Sequence, residues 1–203
     1  MESIKQIFRI GNGPSSSHTM GPKRAAEMFL ARNREVDSFR VTLYGSLAAT
    51  GRGHMTDVAI KSVLEPVAPL EIAWKPEVFL DFHPNGMLFE SLKADGSVIQ
   101  AWTVYSVGGG ALASDDLSDP QPEHVYGMST VSEIQQWCDK QGGSYWEYVQ
   151  QCEGDEIWDY LEEVWRVMVD AVHHGLETEG IIPGGLGIRR KAGSYLIRAN
   201  SYS

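Results

Sequence analysis

The run Val78-Phe79-Leu80-Asp81-Phe82-His83-Pro84-Asn85-Gly86-Met87-Leu88-Phe89-Glu90-Ser91-Leu92-Lys93 continues through Asp95-Gly96 into residues 98–107, and it decides the fold class. Residues 78–83 and 87–93 are short, apolar-rich candidate strands, and Pro84-Asn85-Gly86 between them is a turn signal. Asp95-Gly96 reads as a hairpin turn into a third strand over 98–107. Three strands in succession with no helix between them form an antiparallel meander rather than βαβ units. Gly108-Gly109-Gly110 ends it at a point of close backbone approach. Helical periodicity lies on both sides of this run. The expected class is therefore α+β, with an antiparallel or mixed sheet and helices packed mainly on one face.

Toward the N-terminus, Ser38-Phe39-Arg40-Val41-Thr42-Leu43-Tyr44 alternates and is rich in β-formers, so it predicts another strand. Residues 45–53 form a glycine-rich connection. Thr56 or Asp57 then caps a helix whose inner face carries Ala59, Ile60, Val63 and Leu64, closed by Pro66 and Pro69. Earlier still, Ala25, Met28, Phe29 and Arg32 fall on one face of a helix over 23–32.

That first helix is preceded by Gly11-Asn12-Gly13-Pro14-Ser15-Ser16-Ser17-His18-Thr19-Met20-Gly21-Pro22. Pro22 suits the first helical position, and Thr19 or Gly21 can cap it. Hydroxyls gathered at a helix start, where free N–H groups and the positive dipole end meet, suit a carboxylate or phosphate. The plain alternative is a serine-rich turn that only caps.

Toward the C-terminus, the acidic, proline-containing run over 114–127 reads as an exposed loop. Helices are expected over 131–140, 144–152 and 155–178. The last carries an apolar stripe of Ile157, Leu161, Val164, Trp165, Met168 and Val172, with Trp158 beside it as core or interface. His173 and His174 diverge by about 100° on a helix, so they do not readily share one metal. The tail over 182–203 is basic and irregular.

The chain has 203 residues, of which 42% are hydrophobic and 22% charged, enough to bury a core. A formal net charge of −10 leaves no basic face for nucleic acid. No signal-peptide pattern and no 18-residue apolar run is present, so the reading is a soluble, cytoplasmic protein without a membrane partner. Cys138 and Cys152 are too few for a disulfide framework and read as reduced, buried thiols.

The serine-rich segment, followed in order by Val41-Thr42-Leu43-Tyr44-Gly45-Ser46-Leu47, Thr50-Gly51-Arg52-Gly53-His54-Met55-Thr56-Asp57, Tyr105-Ser106-Val107-Gly108-Gly109-Gly110 and Glu179-Gly180-Ile181-Ile182-Pro183-Gly184-Gly185-Leu186, resembles the beta chain of the iron–sulfur-dependent L-serine dehydratases (L-serine ammonia-lyases). Asn12, where an apolar residue is common, and a short stretch over 65–80 depart from that pattern. The resemblance implies an enzyme that removes water from L-serine to give pyruvate and ammonia. It also implies a [4Fe–4S] cluster acting as a Lewis acid, and a likeness to the allosteric substrate-binding domain of some phosphoglycerate dehydrogenases. A cluster held by three thiolates needs three cysteines. This chain has two, so its ligands are expected in a second, cluster-bearing alpha region or subunit. The implied division is a beta-type domain over 1–153, then a long helix and the start of the alpha region over 154–203.

Within that picture His54 is the candidate base for the Cα proton, and His18 orients the substrate. Ser16, Ser17, Thr19, Thr56 and Asp57 are candidate substrate-binding residues, and no metal ligand is assigned. The structural alternative for both histidines is hydrogen bonding at a helix start. The tryptophan-bearing helix and the unpartnered tail suggest a homodimer. Two other classes stay open. One is a regulatory amino-acid- or anion-binding module without chemistry of its own. The other is a serine hydrolase, which is weak because no Gly-x-Ser-x-Gly elbow is present.

Overall fold

A computed structural model describes residues 1–33, 35–114, 124–183 and 187–201. Residues 115–123 of the acidic run, and Gly184, Gly185 and Leu186 of the last motif, lie outside the described residues. The chain divides into two compact units. One comprises Gly11–Ser118 with Ile181–Arg189, and the other comprises Met1–Ile10, Asp119–Gly180 and Arg190–Ser203.

The first unit is built on a five-stranded sheet in the order β2-β1-β3-β4-β5. The strands are β1 (Ser38–Tyr44), β2 (Leu70–Lys75), β3 (Gly86–Leu92), β4 (Val98–Gly108) and β5 (Ala111–Ala113). β1 pairs antiparallel with β3 and parallel with β2, so the sheet is mixed. Helices α1 (Gly21–Arg32), α2 (Gly45–Thr50) and α3 (Thr56–Leu64) complete the unit. Alternation along the strands puts Phe39, Val41 and Leu43 on one face with Met87, Phe89, Trp102 and Val104, all nearly inaccessible. Ala25, Ala26 and Phe29 of α1 and Ile60 and Leu64 of α3 join them in one core. Phe29 lies 5.5 Å from Phe89 and 6.4 Å from Trp102, ring centre to ring centre.

The α+β class holds, and one strand is moved. Residues 78–83 are not a strand, and Leu70-Glu71-Ile72-Ala73-Trp74-Lys75 is. The reason is topological. β2 runs parallel to β1 on one side, and β3 runs antiparallel to it on the other. The chain must cross the end of β1 between them, and residues 76–85 make that crossing. It rests on the start of α2, where the Gly45 and Ser46 N–H groups donate to the carbonyls of Val78 and Pro84 at 2.9 and 3.0 Å. The glycine-rich connection over 45–53 thus contains a short helix, α2, that the spacing of its glycines hid.

In the second unit, α4 (Val131–Gln141) and α5 (Tyr145–Glu153) each open with a capping box, Thr130 with Glu133 and Ser144 with Glu147. Helix α6 spans Glu156–Glu177. Its stripe is buried only at the start: Ile157 and Val164 are inaccessible or nearly so, while Trp165, Met168 and Val172 are exposed. The tail expected to be irregular contains α7 (Ala192–Ser201). Glu153 ties the N-terminal segment down. Its carboxylate accepts from Ser3 Oγ (2.7 Å), the Ile4 N–H (2.8 Å) and Tyr126 Oη (2.6 Å). Burial pushes its pKa up, but these hydrogen bonds to the charged form outweigh that and hold it below the usual carboxylate value. No helix among the described residues is long and apolar enough to cross a membrane.

Candidate active site

The serine-rich segment does not wait for Pro22 to become helical. Ser16–Met20 already form one π-helical turn that runs into α1. Ser15 is therefore the cap, in place of Thr19 or Gly21, and its hydroxyl accepts the His18 N–H at 3.1 Å. The turn can sit close to the sheet because residue 21 is glycine: a Cβ there would stand 2.2 Å from Ser106 Oγ on β4.

The second histidine comes from residues 51–55, between α2 and α3. Met55 holds the left-handed conformation at φ 58°, uncommon for a residue with a side chain. This reverses the chain ahead of α3. Thr56 does not cap that helix; its hydroxyl is used elsewhere. Thr56 Oγ1 donates to the carbonyl of His18 at 2.5 Å, and Thr19 Oγ1 donates to the carbonyl of His54 at 2.7 Å. Both threonines are buried. Each histidine-bearing segment thus supplies the hydroxyl that satisfies the other histidine's backbone.

The lacing brings the rings to 4.8 Å, centre to centre, tilted by 40°. His18 is held at both nitrogens, by Ser17 Oγ at Nδ1 (2.9 Å) and Ser46 Oγ at Nε2 (3.2 Å). His54 Nδ1 lies 3.0 Å from the carbonyl of Thr50, which can only accept. Nδ1 of neutral His54 therefore carries the hydrogen, and Nε2 carries the lone pair. Nε2 has no hydrogen-bond partner among the described residues. Burial, followed by the nearby His54, lowers the pKa of His18 against the opposing effect of its Ser46 contact. The chemical capacity is that of one uncharged, anchored imidazole beside a second that presents a bare ring nitrogen.

The proposed site residues separate accordingly. Ser17, His18, Thr19, His54 and Thr56 come together, with Thr19 and Thr56 acting through backbone carbonyls. Ser16 is exposed on the same turn. Asp57 turns along α3 toward Lys61, 3.9 Å away, and lines a separate groove. Ser46 and Thr50 were missed as site residues. Their signal was their place inside the Gly45-Ser46 and Thr50-Gly51 motif blocks, yet their partners lie 28 and 4 residues away and only the fold supplies the first of these.

Two results are expected here. Thr56→Val strips the His18 carbonyl of its donor in a closed environment and costs about 1–3 kcal/mol of stability. Thr56→Ser retains most of it, and denaturant midpoints of the two variants give the comparison. The second concerns pH. Unfolded histidine titrates near 6.5, and folded His18 protonates only at lower pH. Below about 6.5 the unfolded chain therefore binds a proton that the folded chain refuses. The stabilisation is fully present above the unfolded pKa and is lost as pH falls through the folded one. Unfolding midpoints at pH 7.5 and 5.5 should fall further for the wild type than for His18→Asn. Equal falls would remove His18 as the cause.

Residues 3–75 and 67–117 match the serine dehydratase beta chain family. Among curated proteins, the chain is 34% identical to an L-serine dehydratase of Streptomyces coelicolor over 94% of its own length and 53% of the relative's. It is 32% identical to L-serine dehydratase 2 of Escherichia coli over 95% and 53%, and 31% identical to an L-serine dehydratase of Mycobacterium bovis over 98% and 54%. The chain spans about half the length of the curated relatives it matches. A match across more than half of this chain, through the segments that carry both histidines, means that the chain belongs to the serine dehydratase beta chain family.

Proposed function

We propose that this chain supplies the histidine-bearing half of an L-serine dehydratase, with His54 as the base that takes the Cα proton of L-serine. One observation carries the reading: the Thr50 carbonyl holds Nδ1–H of His54 and leaves Nε2 as the proton acceptor. The Cα–H electrons form the Cα–Cβ double bond as the β-hydroxyl leaves as hydroxide, which becomes water with the proton that His54 took from Cα. The aminoacrylate then tautomerises to an imine, which hydrolyses to pyruvate and ammonia. His18, uncharged and braced between Ser17 and Ser46, orients the substrate and adds no positive charge that would repel the protonated base. Ser16, exposed on the same turn, and Ser17, hydrogen-bonded to His18, suit the carboxylate.

The residues of this chain do not fit a [4Fe–4S] cluster. Cys138, buried, lies on α4 and Cys152, half-buried, on α5, and no group of three or more His, Cys, Asp or Glu side chains that could hold a metal occurs among the described residues. A thiolate-held cluster needs a third cysteine. We assign the cluster, and assistance to the departing hydroxyl, to the cluster-bearing half with which this chain works. Purified alone, the chain should show no sulfur-to-iron charge-transfer absorbance and form no pyruvate from L-serine. Combined with that half it should do both. A stoichiometric cluster on the isolated chain would sink the assignment.

A further inference from the structure

Helical hydrogen bonding does not stop at the end of α2. The His54 N–H donates to the Thr50 carbonyl at 3.2 Å, the Met55 N–H to the Arg52 carbonyl at 3.3 Å and the Thr56 N–H to the Gly51 carbonyl at 2.8 Å. The last two are the 5→2 and 6→1 bonds of a Schellman ending, in which His54 closes the helix and the next residue turns left-handed. Glycine is usual at that place because it has no Cβ to clash. Here it is Met55, at φ 58° and ψ 31°, the one non-glycine residue with positive φ among the described residues.

A left-handed residue 55 does two things. It turns the His54 carbonyl out of the helix, where Thr19 Oγ1 donates to it at 2.7 Å. It also sends the chain back, so that Thr56 reaches the carbonyl of His18 and the Met55 carbonyl accepts the first N–H of α3, that of Ala59, at 3.0 Å. His54 is then fixed by its carbonyl, its N–H and its ring Nδ1, the last two sharing the two lone pairs of the Thr50 carbonyl. The Met55 side chain, in contrast, lines the groove between α3 and β2 with Val58, Ile72 and Trp74, and neither histidine lines that groove.

We propose that Met55 is a positioning residue: its left-handed backbone, and not its side chain, aims the His54 ring and fixes Nδ1 as the nitrogen that carries the hydrogen. The role rests on the reading of His54 as the base and specifies what sets that base's tautomer. With residue 55 right-handed the helix would run on, and the His54 carbonyl would point along its axis, away from Thr19. The ring would lose the frame that holds Nδ1 on Thr50. An unheld neutral imidazole favours hydrogen on Nε2, which removes the lone pair that accepts the Cα proton.

Three substitutions of the full chain separate backbone from side chain. Met55→Ala keeps the left-handed cost and removes the side chain. Met55→Gly removes both. Met55→Val opposes the conformation, because a β-branched residue is a severe outlier there. Ring ¹⁵N shifts of His54 at mildly alkaline pH should show Nδ1–H and a bare Nε2 in wild type, Met55→Ala and Met55→Gly. Met55→Val, folded by circular dichroism, should show Nε2–H. Combined with the proposed cluster-bearing half, Met55→Ala and Met55→Gly should keep near-normal turnover. Met55→Val should lower kcat by about a hundredfold with KM little moved, the usual result of a small misplacement. Nδ1–H retained in folded Met55→Val would overturn the proposal. So would its loss in Met55→Gly or Met55→Ala, which would put the positioning in the side chain; these two arms test the proposal even where Met55→Val does not fold. A switched tautomer in Met55→Val with normal turnover would uphold the positioning role and remove His54 as the base.

Discussion

On the proposed function, His54→Asn in the chain assembled with the proposed cluster-bearing half is expected to lower turnover of L-serine by roughly 10²–10⁴, the usual worth of a positioned general base. Asparagine is close in size and can still donate to the Thr50 carbonyl, so the loop between α2 and α3 should keep its course. What disappears is the ring nitrogen that the Nδ1–H contact leaves bare. Serine affinity should change far less than turnover, because the proton is moved only in the transition state. Exchange of the Cα hydrogen with deuterated solvent should be lost in step with turnover. His18→Asn separates the two roles. It removes the contacts to Ser17 and Ser46 and so should raise KM along with any fall in kcat. Near-normal turnover in His54→Asn with abolished turnover in His18→Asn would exchange the assignments. Normal turnover in both would transfer the base to the other half.

Gly45→Ala is expected to destabilise the first unit by about 3 kcal/mol. Two costs add. Gly45 lies at φ +47°, where an L-residue pays roughly 1–2 kcal/mol. Its added Cβ would also stand 2.6 Å from the Pro84 carbonyl oxygen, and overpacking of this kind costs roughly 1–3 kcal/mol. That oxygen is backbone, held by the Ser46 N–H at 3.0 Å, so it cannot swing aside as a flexible side chain would. Gly96 is the control. It too has positive φ, at +81°, but nothing lies within 4 Å of its Cβ position, so Gly96→Ala should carry only the conformational cost. Urea midpoints distinguish the two. Because residues 45 and 46 begin the helix that presents Ser46, Gly45→Ala should also loosen the Ser46–His18 contact and shift the His18 ring resonances. A Gly45→Ala chain no less stable than Gly96→Ala would show that the crossing segment gives way at little cost.

Local chemistry made much of this molecule legible before any folding. The periods of 2 in residues 38–44, 87–93 and 98–107, and of 3.6 in residues 23–32, survive as β1, β3, β4 and α1, because each segment's own apolar pattern agrees with the face it buries. Both histidines were visible, since glycines and hydroxyls cluster around them in sequence. The family likewise follows from the ordered motif blocks. Tertiary structure decided what depends on partners far along the chain. Leu70–Lys75 became a strand in place of residues 78–83 because a chain running parallel to β1 must cross its end before pairing on the other side. Thr56, a plausible cap when read locally, gave its hydroxyl to a carbonyl 38 residues away, where a buried oxygen costs more unpaired than a helix start in water does. Ser46 reached His18 only across the fold. Periodicity is written in neighbours, and so the sequence by itself determined the elements and the family; hydrogen-bond closure between distant segments is not, and so only the folded chain decided that Ser46 holds His18 and that Thr19 and Thr56 lace the two histidine segments together.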